Sequence, residues 1–289
     1  MSLMSRRGLL GGALALGGCS GLETLNGAND LWPGDADVVT AAEGVAFGPG
    51  PRRMLDVHAP QGANNAPVLV FWYGGSWSSG RRQDYRFAGR ALAAQGFVTV
   101  VPDYRLVPQV RFPAFLEDGA AALAWTAANI ARFGGNPAAI GVTGHSAGAW
   151  IALMLALDPR WLAAAGAPGV VKAAAGLAGP YDFLPFKPGG AAQLALGEAP
   201  DLAQTQPVTF AAAGAPPVLL LTGDADTTVK PRNSLRLAAA MTAAGANGVA
   251  RLYPGIDHTG IVLALSKPFR GRAPVLADMR QFLQLHLKA

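Results

Sequence analysis

The chain predicts an α/β fold in one domain, a mostly parallel sheet with helices on both faces. Two observations carry that reading. Strand-length apolar runs recur along the sequence and alternate with segments of helical pattern, the signature of strands joined by helical crossovers. Nearly every run stops at a short loop holding Gly, Ser, Asp or His, and open α/β sheets place their sites at the carboxyl ends of the strands. A length of 289 residues with 51% hydrophobic residues fills one large core, and no long polar linker or internal repeat divides it.

The first residues stand apart from that domain. Ser5-Arg6-Arg7-Gly8 leads into a short apolar run ending at Cys19, a basic start and apolar stretch of signal-peptide type. A membrane span would need about 20 apolar residues. The arginine pair resembles a twin-arginine export signal, and Leu16-Gly17-Gly18-Cys19 resembles a bacterial lipobox. That resemblance implies residues 1–18 as signal peptide, lipid on Cys19, and a membrane-anchored, periplasm-facing protein. Cys19 is the only cysteine, so a disulfide framework is excluded. Residues 19–37, with Gly, Asn, Asp and Pro, read as a tether, and 38–289 as the folded domain. Removing Arg6 and Arg7 leaves 21 basic against 18 acidic residues, a net +3. Those charges are scattered, which argues against a nucleic-acid partner.

In order along the chain, Val38 to Phe47 and Arg53 to Ala59 alternate in polarity around Gly48-Pro49-Gly50-Pro51 and predict an antiparallel hairpin. Pro67 to Trp72 is a buried strand that ends in Tyr73-Gly74-Gly75-Ser76-Trp77. Gln83 to Gln95 predicts a helix, Phe97 to Val101 a strand, and Pro113 to Phe133 a long helix with Pro at its first turn. Ala139 to Thr143 is the next strand, and Ala147 to Leu157 a helix apolar nearly all round, hence buried. Val170 to Leu177 predicts a strand. Residues 179–215, rich in Pro, Gly and Ala, read as a small cap insertion or surface excursion. Pro217 to Leu221 and Gly248 to Tyr253 are strands, Ser234 to Ala244 and Ala273 to Leu287 helices.

Between the strand ending at Thr143 and the helix starting at Ala147 lies Gly144-His145-Ser146-Ala147-Gly148. A serine on a sharp strand-to-helix turn needs neighbours without a Cβ, and G-x-S-x-G supplies them. Its hydroxyl becomes nucleophilic only with a base to take its proton and a third group to orient that base. Of four histidines, His58 falls in a strand, His286 in the last helix, and His145 beside the serine should point away from Oγ. His258 remains, in a loop after the last strand. The acid belongs between Ser146 and His258 in sequence, and spacing alone leaves Asp224 and Asp226 open, with Asp182 and Asp257 weaker. The glycines after Trp72 allow backbone N–H groups to face a cavity, where they would stabilise an oxyanion. Tyr73 and Trp77 flank that turn and are expected at the substrate pocket.

From about residue 50 to 285 the chain resembles the α/β-hydrolases of the carboxylesterase and hormone-sensitive-lipase-like kind, with overlap to kynurenine-formamidase-like enzymes. The resemblance lies in Leu55-Asp56-Val57-His58-Ala59-Pro60, Tyr73-Gly74-Gly75-Ser76-Trp77, Val101-Pro102-Asp103-Tyr104-Arg105, Phe133-Gly134-Gly135-Asn136-Pro137, Gly144-His145-Ser146-Ala147-Gly148 and Gly223-x-x-Asp226-x-x-Val229. It implies the α/β-hydrolase fold and a small-molecule ester cleaved by a Ser146–His258–Asp226 triad through an acyl-enzyme. It prefers Asp226 over Asp224. It places oxyanion donors in Gly74, Gly75 and Ser76, with a second from the Ala147 N–H, and it requires neither metal nor organic cofactor. Family members usually carry His-Gly-Gly where this chain has Tyr73-Gly74-Gly75, which changes how the loop is braced. Formamide hydrolysis, acyl transfer to alcohols, and a non-catalytic binding role are the other readings of the same residues.

Overall fold

The computed structural model describes residues 19–288, so the expected signal peptide lies outside the described residues. Eight strands form one sheet: β1 (Val38–Ala46), β2 (Met54–Pro60), β3 (Ala66–Trp72), β4 (Val98–Pro102), β5 (Gly135–His145), β6 (Val171–Leu177), β7 (Val218–Gly223) and β8 (Gly248–Tyr253). Their spatial order is β1-β2-β4-β3-β5-β6-β7-β8. The N-terminal hairpin joins antiparallel, β2 against β4, and every pair from β4 to β8 is parallel. The continuous apolar runs sit in the middle: from Val68 to Trp72 no residue of β3 is exposed. A strand covered on both faces has no solvent side on which to place polar residues.

The helices are α1 (Cys19–Leu31), α2 (Arg86–Ala93), α3 (Ala114–Asn129), α4 (Ala147–Leu157), α5 (Pro159–Ala164), α6 (Ala191–Leu196), α7 (Arg232–Ala243), α8 (Gly260–Leu263) and α9 (Val275–His286). None among the described residues is long and apolar enough to cross a membrane. All of α4 except Ala156 is buried, as its unbroken apolar sequence requires. Residues 179–215 hold α6 and two 3₁₀ turns, and they are fastened to the body. The Phe112 N–H donates to the Ala195 carbonyl at 2.9 Å, and Trp150 Nε1 to the Thr205 carbonyl at 2.7 Å.

Three differences from expectation have local causes. The helix expected from Gln83 starts as a 3₁₀ turn at Arg82–Tyr85, and β5 begins four residues early by pairing Gly135 with Ala66. The segment expected as a tether is instead docked. Asn26 of α1 donates through Nδ2 to the Gln83 carbonyl at 2.8 Å and accepts from the Phe87 N–H at 3.0 Å, capping the first turn of α2, while Leu25 is buried. Asn29 accepts from the Lys267 N–H at 2.8 Å, the Lys267 ammonium donates to the Trp32 and Gly34 carbonyls, and Arg270 grips Asp35 with two nitrogens at 2.9 and 2.8 Å. A run of Gly, Asn and Asp looks like linker by composition, but here the amides and carboxylate are the fasteners.

His58 is buried in β2 under α2, with Thr40 Oγ1 at 3.2 Å from Nδ1. Burial, helped by the Arg90 and Arg86 charges, lowers its pKa to about 4. Because the folded value lies below the ordinary 6.5, the unfolded chain takes up the proton first. The stability His58 protects is complete above pH 6.5 and drains away as the pH falls towards 4. Urea unfolding should therefore show about 2 kcal/mol more loss between pH 7 and pH 5 in the wild type than in His58→Gln. Equal losses in the two proteins would show that His58 is not the group responsible.

Candidate active site

The site grows from the junction of β3, β5 and α4. A Cβ on Gly148 would fall 2.1 Å from the Trp72 carbonyl oxygen, and one on Gly144 2.5 Å from the Gly148 carbonyl carbon. Only glycines let the helix start this close to the strands. The turn between them forces Ser146 to φ 54° and ψ −121°, a conformation that costs a non-glycine residue about 1–3 kcal/mol and persists because its surroundings impose it. Its N–H is held by the Leu177 carbonyl at 2.9 Å. Ser146 stands immediately before the first residue of α4, at the positive end of that helix dipole.

Three loops converge on Ser146. The loop after β8 brings His258, whose Nε2 lies 3.0 Å from Ser146 Oγ and whose Nδ1 lies 2.8 Å from Asp226 Oδ2. The loop after β7 carries that aspartate. Its other oxygen accepts from the Thr228 and Val229 N–H groups at 2.9 Å each, so the carboxylate is buried, oriented and satisfied. Of the two carboxylates that spacing leaves open, Asp224 is turned away. It accepts from the Gly255 N–H at 2.7 Å and so ties the β7 loop to the β8 loop. Asp182 pairs with Arg236 and Asp257 with the Gly260 N–H, both outside the chain of hydrogen bonds.

The turn after β3 runs beside Ser146. Gly75 has φ 127°, and a Cβ there would meet the Ser79 carbonyl at 2.2 Å; Ser76 and Trp77 follow with φ 54° and 59°. The Gly75 carbonyl accepts from the Ser78 and Ser79 N–H groups, which folds the turn back on itself. The N–H groups of Gly75 and Ser76 have no hydrogen-bond acceptor among the described residues. Ala147 is the first residue of α4, and its N–H precedes the point where helical bonding begins. A Cβ added at Gly74 would come within 3.2 Å of both His145 and Ser146.

Tyr73, expected at the substrate pocket, is wholly buried behind the turn. Its hydroxyl donates to Asp103 Oδ1 and accepts from an Arg52 nitrogen, both at 2.9 Å. Arg52 also holds the Gly80 carbonyl at 2.6 Å and the Tyr104 carbonyl at 2.9 Å, and Arg82 meets Asp103 at 2.6 Å and Asp56 at 2.8 Å. Burial pushes the Tyr73 phenol well above its ordinary pKa, so it stays a neutral donor. This polar network spans the turn's two ends. Sequence reasoning missed its roles, although Asp103 and Tyr104 lie in one of the quoted motifs. Trp77 is only 4% exposed; its indole meets Trp150 edge-on at 5.5 Å, a wall between the turn and residues 179–215 rather than an open pocket face.

His145 differs most from expectation. It makes no bond to Oγ, as its place on the turn predicts, yet it is not remote from His258. Its Nε2 lies 2.9 Å from the His258 carbonyl oxygen and its ring 4.9 Å from the His258 ring. The middle position of G-x-S-x-G carries no signal for such a contact, because it depends on a loop more than a hundred residues away.

Comparison with known proteins agrees with this architecture. The BD-FAE family model matches residues 55–241. Esterase LipC of Mycobacterium tuberculosis is 31% identical over 236 residues, covering 74% of this chain and 58% of LipC. Isoprenylcysteine alpha-carbonyl methylesterase ICME of Arabidopsis thaliana is 30% identical over 258 residues, covering 81% of this chain and 60% of its own. The chain thus spans about three fifths of the length of these relatives. Among solved structures, a truncated carbohydrate esterase from gut microbiota superimposes with TM-score 0.77 at 20% identity, covering 88% of this chain and 99% of that one. The thermophilic carboxylesterase EstE1 gives 0.73 at 22%, covering 93% and 95%, and together they establish the α/β-hydrolase fold. With the family model matched over more than half of the chain, across both the Ser146 turn and the turn after β3, this chain belongs to the BD-FAE family.

Proposed function

We propose that the protein is a serine carboxylesterase, and the observation that carries this is the unbroken run from Ser146 Oγ to His258 at 3.0 Å and on to Asp226 at 2.8 Å. His258 Nε2 accepts the hydroxyl proton as Oγ bonds to the ester carbonyl carbon, and Asp226 holds the Nδ1–H tautomer and the imidazolium that follows. The N–H groups of Gly75, Ser76 and Ala147 point positive charge at the developing oxyanion, an interaction stronger in the transition state than in the bound ester. The tetrahedral species collapses, His258 gives its proton to the departing alcohol, and an acyl-Ser146 ester remains. Water repeats the sequence with His258 as base, releasing the carboxylic acid and free Ser146. The named activities of LipC and ICME, an esterase and a methylesterase, support an ester as substrate.

Ser146→Ala should lower ester turnover by roughly 10⁶ with the fold intact. Asp226→Asn should cost on the order of 10⁴ and Asp224→Asn far less, since Asp224 only ties two loops together. Steady-state hydrolysis of aryl esters, run beside formyl amides, checks all three. Turnover surviving in Ser146→Ala would sink the assignment, and the opposite ranking of the aspartates would reassign the acid.

Tyr73→Phe deletes the hydroxyl between Asp103 and Arg52 while leaving the ring stacked on Tyr104 at 4.8 Å. A loosened donor turn should lower kcat by roughly tenfold with little change in KM. An unchanged kcat would confine Tyr73 to packing.

We also propose that Cys19 is the lipid-bearing first residue of an exported form, resting on the lipobox-like Leu16-Gly17-Gly18-Cys19. Each acyl CH₂ buried in a bilayer contributes about 0.8 kcal/mol, so two or more chains would hold the protein at a membrane. In fractionated bacterial cells the wild type should sediment with membranes and Cys19→Ser should not, with esterase activity equal in both. A wild type found wholly in the soluble cytoplasmic fraction would refute the anchor.

A further inference from the structure

We infer that His145 is a positioning residue for the base: its ring fixes the backbone at His258 and thereby sets where the imidazole of His258 meets Ser146. This rests on the triad reading above.

The bond at 2.9 Å joins an imidazole nitrogen to a carbonyl oxygen, and a carbonyl only accepts. Nε2 of His145 must therefore carry the hydrogen, which leaves Nδ1 as a bare lone pair. That nitrogen is buried without a partner, packed against Gly74, where an added Cβ would come within 3.0 Å of it. Leaving a buried acceptor without a partner is unfavourable. The fold tolerates that cost at the residue adjoining Ser146, where the opposite nitrogen holds the loop that delivers His258.

The consequence is geometric. His145 is the last residue of β5 and is covalently next to Ser146. Through one hydrogen bond it ties the backbone of His258 to the backbone of Ser146, independently of the Oγ–Nε2 and Nδ1–Asp226 bonds that change during reaction. The base thus keeps its place when its bonds to Oγ and the leaving group are made and broken. The ring also has two ring neighbours, Tyr85 at 6.4 Å and His258 at 4.9 Å between centroids, and Tyr85 stacks in turn on Tyr73 at 5.8 Å. A row of rings thereby links the Arg52–Asp103 brace of the donor turn to the base.

Electrostatics agree with a positioning role. Burial, with the nearby His258, lowers the His145 pKa to about 3, despite the opposing pull of Asp226. His145 is neutral wherever the enzyme works, so it adds no positive charge to oppose the imidazolium that His258 becomes. With its hydrogen given to a carbonyl and its lone pair turned to Gly74, it cannot compete for the Ser146 proton.

The test compares His145→Gln, whose amide nitrogen reaches the place of Nε2, with two donor-free changes, His145→Leu and His145→Phe. Rates on aryl esters are normalised to the sites titrated by an aryl phosphonate, so that misfolded protein drops out. The donor-free variants should lose about 10- to 100-fold in kcat with KM within about twofold, and His145→Gln should recover most of the loss. A merely structural residue would lower the titratable fraction and leave kcat per site alone. Histidine ¹⁵N spectra of the wild type should show His145 as the Nε2–H tautomer, neutral down to about pH 4, and they decide the matter where neither donor-free variant folds. Wild-type kcat per site in His145→Leu or His145→Phe, a Gln variant as poor as Leu, or an Nδ1–H tautomer would each overturn the inference. A wild type that neither takes phosphonate at Ser146 nor hydrolyses esters would overturn the triad reading instead.

Discussion

The approach of α4 to β3 is the constraint on which the site depends. The Gly148 backbone lies so close to the Trp72 carbonyl that a single methyl could not be inserted. That contact fixes the start of α4 over the sheet, and the one residue left between strand and helix has no room for a relaxed backbone. Ser146 is strained because the helix is near, and it is exposed to its partners because it is strained. The energy for holding it there comes from the unbroken apolar surface of α4, buried among β3, β5 and β6.

Around that serine the chain uses two kinds of support. The groups that meet Ser146 are few and come from loops, while their orientation comes from hydrogen bonds further back. Asp226 is aimed by the Thr228 and Val229 N–H groups, the donor turn by Arg52 and Tyr73, and the His258 loop by Asp224 below and His145 beside it. All of these supports are at least partly buried except the Asp224–Gly255 bond, which is exposed and closes one loop onto its neighbour. Converging side chains keep their places to within a fraction of an ångström only when a second layer of contacts holds them, which accounts for so much architecture behind so few atoms.

What could be read in the sequence follows from how local each signal is. The β3 and β7 runs, the buried α4 and the glycines about Ser146 depend on neighbours in sequence, so periodicity and spacing showed them. His258 could be isolated because only four histidines had to be sorted. Asp226 and Asp224 could not be separated on spacing, since two residues in one loop differ only in which way the loop turns. The Tyr73 brace, the His145 contact and the docking of α1 all join segments far apart in the chain, and composition has no term for them. Asn26 and Asn29 illustrate the failure: the same amides that make a segment look like linker become, once folded, caps for backbone groups of another element.

The strand order has a consequence for folding. Ser146 and its donor turn spring from the adjacent central strands β5 and β3, whereas Asp226 and His258 arrive from β7 and β8 at the far edge. The Ser146 turn belongs to the central strands, and the His258 loop to strands that pair with each other at the edge. Only when parallel pairing has run the whole way from β3 to β8 do Ser146, His258 and Asp226 meet. Such long-range pairing forms late and slowly. A partly folded chain therefore lacks the contacts of Ser146 with His258 and Asp226, and the strained serine meets them only when the scaffold that restrains it is complete.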